Sequence, residues 1–232
     1  MINKHFILNN PITRRLYPRL LHFLDGQNIA RKLQELALEE TARFVTENLM
    51  QAPAFKSDFA LLQHALEKVA PGNDGLICEF GVYQGTTINH IAALTTKPVH
   101  GFDSFEGLPE NWRPEFEKGR FRVETLPAVR ANVQLYKGWF EDSLPKFLAE
   151  HKQPAAFLHV DCDLYSSTKT IFRLFRDRIR PGTVIVFDEF FNYPGWQEGE
   201  YKAFNEFIAE TGLKYDWLGY CCYWEQAAVI IK

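Results

Sequence analysis

The feature that most constrains this chain is an alternation of short apolar runs with stretches of helical periodicity. The runs occupy 76–80, 98–103, 133–137, 155–161, 183–188, 215–218 and 227–231. Those at 155–161 and 183–188 are apolar on both faces, the pattern of central strands covered from both sides. Between them lies a helical stretch, 168–178, stopped by Arg180-Pro181-Gly182. Strand, helix and strand in repetition imply an α/β fold, a parallel sheet with helices on both faces. Ahead of it, Leu33, Leu36, Leu38, Phe44, Val45 and Leu49 recur at helical spacing until Pro53. Ser57-Asp58 then caps a second helix carrying Phe59, Leu62, Leu66 and Val69, which Pro71-Gly72 ends. The expected organisation is an N-terminal helical cap over 1–75 and one α/β domain over 76–232.

The 232 residues include 26 Lys+Arg against 29 Asp+Glu, a formal net charge of −3, and 46% are hydrophobic. This composition excludes disordered and collagenous classes. It also argues against nucleic acid as the main partner, because phosphate neutralisation needs a basic excess. No apolar run approaches the roughly 18 residues of a membrane span. Met1 to Phe6 followed by Asn9-Asn10-Pro11 shows no signal-peptide pattern, so a soluble, cytoplasmic chain without a membrane partner is expected. Cys78 and Cys162 fall inside strand-like runs as small buried hydrophobes, and adjacent Cys221-Cys222 has neither zinc-ligand nor redox spacing.

In open α/β sheets ligands bind outside the carboxyl ends of the strands, so the residues after each strand carry the chemistry. The first strand runs into Glu79-Phe80-Gly81-Val82-Tyr83-Gln84-Gly85-Thr86-Thr87. Its glycines permit a tight turn and close backbone approach to a ligand, or serve turn geometry alone. The second strand ends at Asp103, eighteen residues after Gly85. An acid there accepts ribose hydroxyls, or caps a turn. The third ends in Gly138-Trp139-Phe140-Glu141-Asp142-Ser143, where aromatics beside polar groups could enclose an adenine or pack the core. Strands four and five release Asp161-Cys162-Asp163 and Asp188-Glu189. Four carboxylates converging at adjacent strand ends repel one another, and a hard divalent cation relieves this; helix caps and arginine pairs are the other solution.

With those motifs in order, the chain resembles class I S-adenosylmethionine-dependent methyltransferases, and more narrowly the macrocin O-methyltransferase family. The similar segments begin at Glu79-Phe80-Gly81-Val82-Tyr83-Gln84-Gly85, Phe102-Asp103-Ser104-Phe105-Glu106-Gly107-Leu108-Pro109, Gly138-Trp139-Phe140-Glu141-Asp142-Ser143-Leu144-Pro145 and Asp161-Cys162-Asp163-Leu164-Tyr165. The resemblance implies a Rossmann-like three-layer sandwich whose seven-stranded, mostly parallel sheet has an antiparallel last strand. It implies that Glu79, Gly81, Tyr83, Gly85 and Thr87 hold the methionine end of S-adenosylmethionine. Asp103 and Ser104 would then meet the ribose, and Trp139 and Phe140, with Glu141, Asp142 and Ser143, the adenine, with Asp161 also at the cofactor. Asp161 or Asp163, together with Asp188 and Glu189, would match the family's magnesium ligands, and Asp161 and Asp163 are the expected catalytic residues.

Two departures stand out. Related antibiotic-sugar enzymes use a His base in the loop after the second strand, but 105–125 contains no His, leaving Glu106, Glu110, Glu115, Glu117, Glu124 or metal activation. The acidic pair reads Asp188-Glu189 where Asp-Asp is commoner, and His159, inside a strand, reads as a core or supporting residue. The expectation is an Mg2+-assisted O-methyltransferase acting on a sugar, glycoside or other small natural product. A catechol-type enzyme or a non-catalytic cofactor-binding protein of the same fold are the alternatives. The 111–127 loop, with Trp112, Phe116 and Phe121, is expected to roof the acceptor pocket or to pack back on the domain. The family also implies self-association through N-terminal helices.

Overall fold

A computed structural model describes residues 28–232. The N-terminal stretch read for targeting, Met1 to Phe6 and Asn9-Asn10-Pro11, lies outside the described residues. Helix α1 (Ile29–Asn48) starts where the Asn28 side chain accepts the Arg31 N–H at 3.0 Å, and α2 (Asp58–Glu67) where Ser57 accepts the Ala60 N–H at 3.2 Å. Short polar side chains at such positions satisfy donors that the first helical turn leaves open.

Eight strands follow: β1 (Ala54–Phe55), β2 (Leu76–Phe80), β3 (Val99–Asp103), β4 (Val133–Lys137), β5 (Ala155–Val160), β6 (Val184–Phe187), β7 (Tyr215–Cys221) and β8 (Ala227–Ile231). Between them run α3 (Thr86–Ala93), α4 (Phe140–Glu150), α5 (Tyr165–Phe175) and α6 (Glu200–Thr211). The sheet order is β1-β7-β8-β6-β5-β2-β3-β4. All seven expected strands are present, and β8 alone runs antiparallel, against β6 and β7. The additional strand is β1, which pairs in parallel with β7 through Ala54 and Phe55. Two residues after Pro53 carry no periodicity, so nothing in the sequence marks it.

The chain steps outward from β2 to β3 and β4, then returns to β5 on the other side of β2. That reversal opens the crevice in which such sheets bind ligands. Strand alternation sends Cys78, Phe80, Leu158 and Phe187 to one face, against Leu144, Ile171, Phe172 and Phe204 of α4, α5 and α6. Ile77, Phe157, Val184 and Val186 go to the other, against Leu61, Leu62, Ile88 and Ile91 of α2 and α3.

The apolar positions of α1 divide. Leu49 is buried and Phe44 meets Phe190, Phe191, Trp196, Tyr201 and Trp217, but Leu33, Leu36 and Leu38 are 47%, 43% and 53% exposed. From the N-terminal half of the helix Ala37 reaches the core cluster, and from the C-terminal half Phe44 and Val45. Among the described residues no helix is long and apolar enough to cross a membrane.

Two positions test this packing. Phe204 is fully buried against Phe172, Phe187, Phe190 and Tyr215, so Phe204→Ala is expected to cost about 3–5 kcal/mol in urea unfolding, whereas Leu38→Ala stays within ~0.5 kcal/mol. Gly81 has φ +94°, and a Cβ there would lie 1.6 Å from the Asp161 carbonyl oxygen. Gly81→Ala is expected to cost at least ~3 kcal/mol in the same assay, since the two strand ends must separate to admit it.

Candidate active site

Backbone hydrogen bonds carry the sheet past the formal strand ends. Gly81 N–H donates to Phe102 O, Asp161 N–H to Phe80 O, Asp188 N–H to Val160 O and Gly138 N–H to Asp103 O, each at 2.9 Å. The four exit turns are thereby fixed side by side around a cavity of about 630 Å³. Of the expected cofactor residues, Gly81, Tyr83, Thr87, Asp103, Ser104, Trp139, Phe140 and Asp161 line it. So do all four expected metal residues, Asp161, Asp163, Asp188 and Glu189.

Four expected cofactor residues do not. Glu79 is fully buried beneath the floor, where Oε1 accepts the Thr87 hydroxyl at 3.1 Å and Oε2 meets His159 Nδ1 at 3.0 Å. Gly85 is the left-handed residue, φ +80°, at which the turn enters α3. Asp142 and Ser143 rotate away because α4 has already begun at Phe140; the Ser143 hydroxyl donates to Trp139 O at 2.9 Å. Glu141 lines the cavity in their place and accepts the Thr170 hydroxyl at 2.9 Å.

Asp103 ties the turn together before any ligand arrives. Oδ2 accepts the Val82 and Tyr83 N–H groups at 2.8 Å each, and Oδ1 accepts the Phe105 N–H at 2.6 Å. Three of about four acceptor positions on the carboxylate are used, which leaves one for a ligand hydroxyl. Tyr83 and Phe105 both take positive φ, 47° and 57°, so the acid holds two strained residues in place.

The loop between β3 and β4 closes over the cavity. Gly107, Leu108, Pro109, Glu110 and Phe121 line it, and Phe121 packs edge-on against Tyr83 at 5.4 Å. Trp112 and Phe116 pack on one another at 5.2 Å, and Trp112 meets Tyr193 at 5.8 Å. The Arg113 guanidinium lies 3.9 Å from the Trp112 ring centre and pairs with both Glu225 oxygens at 3.1 Å. The aromatics of this loop thus pack inward, onto the domain and the cavity.

Beside this loop is a second cavity of about 310 Å³, bordered by Trp112, Arg113, Tyr165 and Tyr193. The two cavities share Glu110, Asp163 and Ser166.

Charge is concentrated at the junction. Burial and the Asp188 carboxylate together push Asp161 well above the ordinary carboxylate range and Asp163 up to about 7. Burial, then Asp163 and Asp188, raise Glu189 as well. Asp188 behaves oppositely: burial alone would raise it, but His159 and further hydrogen bonds hold it below its usual value. Burial lowers His159, yet Asp188 and Glu79 outweigh that and raise it. His159, Asp161 and Asp188 present ligand atoms all within 4.8 Å of one another. Asp163 and Glu189 stand outside that group; Glu189 donates its backbone N–H to the buried Glu200 carboxylate at 3.1 Å. Sequence reasoning left His159 as a supporting residue, although its spacing of two from Asp161 in a strand already puts both on one face.

Residues 78–190 match the family described as a methyltransferase domain. A relative from Streptomyces olivaceus, the 8-demethyl-8-(2,3-dimethoxy-alpha-L-rhamnosyl)-tetracenomycin-C 4'-O-methyltransferase, is 30% identical over 56% of this chain and 58% of its own length. The chain therefore spans less than two thirds of that relative. The calicheamicin methyltransferase CalS11 superposes with a TM-score of 0.57 at 22% identity, over 97% of this chain and 88% of CalS11. The O-methyltransferase NovP does so with a TM-score of 0.58 at 21% identity, over 74% and 78%. These two likenesses establish the Rossmann-like fold, and the match over 78–190 falls on the strands and turns that build the cavity. Through that segment, just under half of the chain, it is similar to the methyltransferase domain family.

Proposed function

We propose that the protein is an S-adenosylmethionine-dependent O-methyltransferase, assisted by a divalent cation, that acts on a hydroxyl of a sugar, glycoside or similar small natural product. The observation that carries this reading is the pair of adjoining cavities with Asp163 at their junction. A volume of about 630 Å³ suits a nucleoside-sized cofactor. The glycine cradle at Gly81, the remaining acceptor position of Asp103 and the rings of Trp139 and Phe140 offer complementary contacts along it. In this reading Tyr83, Thr87 and Ser104 complete the cofactor contacts, and Glu79 acts from beneath through Thr87. Residues 76–232 form the cofactor-binding domain. The acceptor occupies the smaller cavity, whose aromatic and polar walls match a ring bearing hydroxyls.

Bound S-adenosylmethionine supplies a methyl carbon already activated by its sulfonium. The residues that would hold a cation are Asp161 and Asp188, with Glu189 on the neighbouring wall; crowded carboxylates, whose burial and mutual repulsion raise the pKa values of Asp161 and Glu189, suit such an ion. A divalent cation held there, Mg2+ in the simplest case, would acidify an acceptor hydroxyl. Asp163 faces both cavities and would take the proton of the acceptor hydroxyl. Phe121 and Tyr83 cover the cavity and keep water from the reacting atoms. The relative's action on a rhamnosyl group at its 4'-hydroxyl supports a glycoside acceptor.

Transfer of labelled methyl from S-adenosylmethionine to a panel of glycosides and catechols tests the reading. A glycoside is expected to accept label, chelator to abolish transfer and Mg2+ to restore it. Transfer to catechols alone would replace the acceptor, and absence of transfer under every condition would reject catalysis. Asp163→Asn is expected to lower kcat by ~10²–10⁴ with little change in cofactor binding.

A further inference from the structure

We infer that His159 is itself a metal ligand, so that the cation site is a mixed centre of one imidazole nitrogen and two carboxylates that selects a divalent transition ion over Mg2+. The inference rests on the cation-assisted reading above and names the ion class that site takes. The sheet register supplies the geometry. Glu79, His159 and Val186 are directly paired across β2, β5 and β6, and Asp161 and Asp188 follow two residues later on the same face. His159 is fully buried, and its Nδ1 is engaged by Glu79 Oε2 at 3.0 Å. With Nδ1–H donating a hydrogen bond to that carboxylate, a neutral imidazole carries its lone pair on Nε2.

Among the described residues Nε2 has no partner within hydrogen-bond distance. It points at the acidic pair, 3.8 Å from Asp188 Oδ1, and belongs with Asp161 and Asp188 to the group whose ligand atoms lie within 4.8 Å. A metal-bound histidine characteristically gives its other N–H to a carboxylate, which fixes the ring and its tautomer. The Glu79–His159 pair has that arrangement, and Thr87 in turn orients Glu79 at 3.1 Å. A buried donor atom left open and aimed between two carboxylates distinguishes this cluster from a merely acidic surface. Imidazole favours the transition series, whereas Mg2+ prefers oxygen alone. With three protein ligands, the remaining coordination positions would be open to oxygens of the acceptor. Metal entry displaces any proton on Nε2 into solvent.

Pulsed electron paramagnetic resonance on the full chain loaded with Mn2+ reads this directly, with 14N-histidine protein compared to 15N-histidine protein. The expected result is modulation from a directly bound nitrogen that changes isotope with the label and disappears in His159→Gln. Mn2+ bound without a histidine signal would overturn the nitrogen ligand and leave the cation-assisted reading standing. No binding of Mn2+ or Mg2+ by calorimetry would overturn both. In competition calorimetry, His159→Gln is expected to lower Mn2+ affinity ~10-fold or more while Mg2+ affinity changes less than ~3-fold. Should His159→Gln not fold, Glu79→Gln retains the imidazole and is expected to weaken Mn2+ binding ~10-fold, and the isotope comparison on the unsubstituted protein still decides the matter.

Discussion

The site depends on how closely two adjacent strand ends approach. Gly81 and Asp161 leave β2 and β5 with no room for a side chain between them, since a Cβ on Gly81 would overlap the Asp161 carbonyl. The contact lets the hydrogen-bond ladder run on for one more residue, from Asp161 N–H to Phe80 O and from Asp188 N–H to Val160 O. Asp161 and Asp188 consequently emerge level with each other and with the Gly81–Tyr83 turn. A larger residue at position 81 would separate the Gly81–Tyr83 turn from the carboxylates, the two halves of the proposed site.

That alignment concentrates negative charge in a buried place. Glu79, Asp163, Glu189 and Glu200 are all buried, and Asp161 and Asp188 adjoin them. Unpaired charges at such depth cost several kcal/mol each. The protein answers in three ways. Arg113 pairs with Glu225 between aromatic rings. His159 lies between Glu79 and Asp188. Burial and mutual repulsion raise the pKa values of most of the remaining acids, which lowers the charge they carry together. Folding tolerates this arrangement because the surrounding sheet and aromatic core hold it fixed, and a function that needs a cation or a proton acceptor explains why such an array is present.

Most of the architecture was legible in the sequence because its strands are apolar on both faces and end in turn residues, which leaves little ambiguity of period. The carboxyl-edge motifs were legible for the same reason, since knowing where a strand ends also places the residues after it. What escaped was whatever depends on contacts across the chain. β1 exists only because β7 offers it an edge, and Leu33, Leu36 and Leu38 of α1 face outward because the helix meets the core through Ala37, Phe44 and Val45. Asp142 and Ser143 match a motif, but the helix had already turned them aside. Glu79 was placed on the cofactor, yet a neighbouring strand supplies His159 and binds it beneath the floor. Pairing across strands, which no single run of sequence contains, decides each of these cases.

Calorimetric titration with S-adenosylhomocysteine tests the central claim, that the Gly81–Asp103–Trp139 crevice is a cofactor site, more directly than any assay requiring the right acceptor. The account predicts micromolar, one-to-one binding by the unsubstituted protein that is lost in Asp103→Ala, with the variant's folding verified by circular dichroism. Absence of binding by the unsubstituted protein, with or without divalent cation, would contradict it.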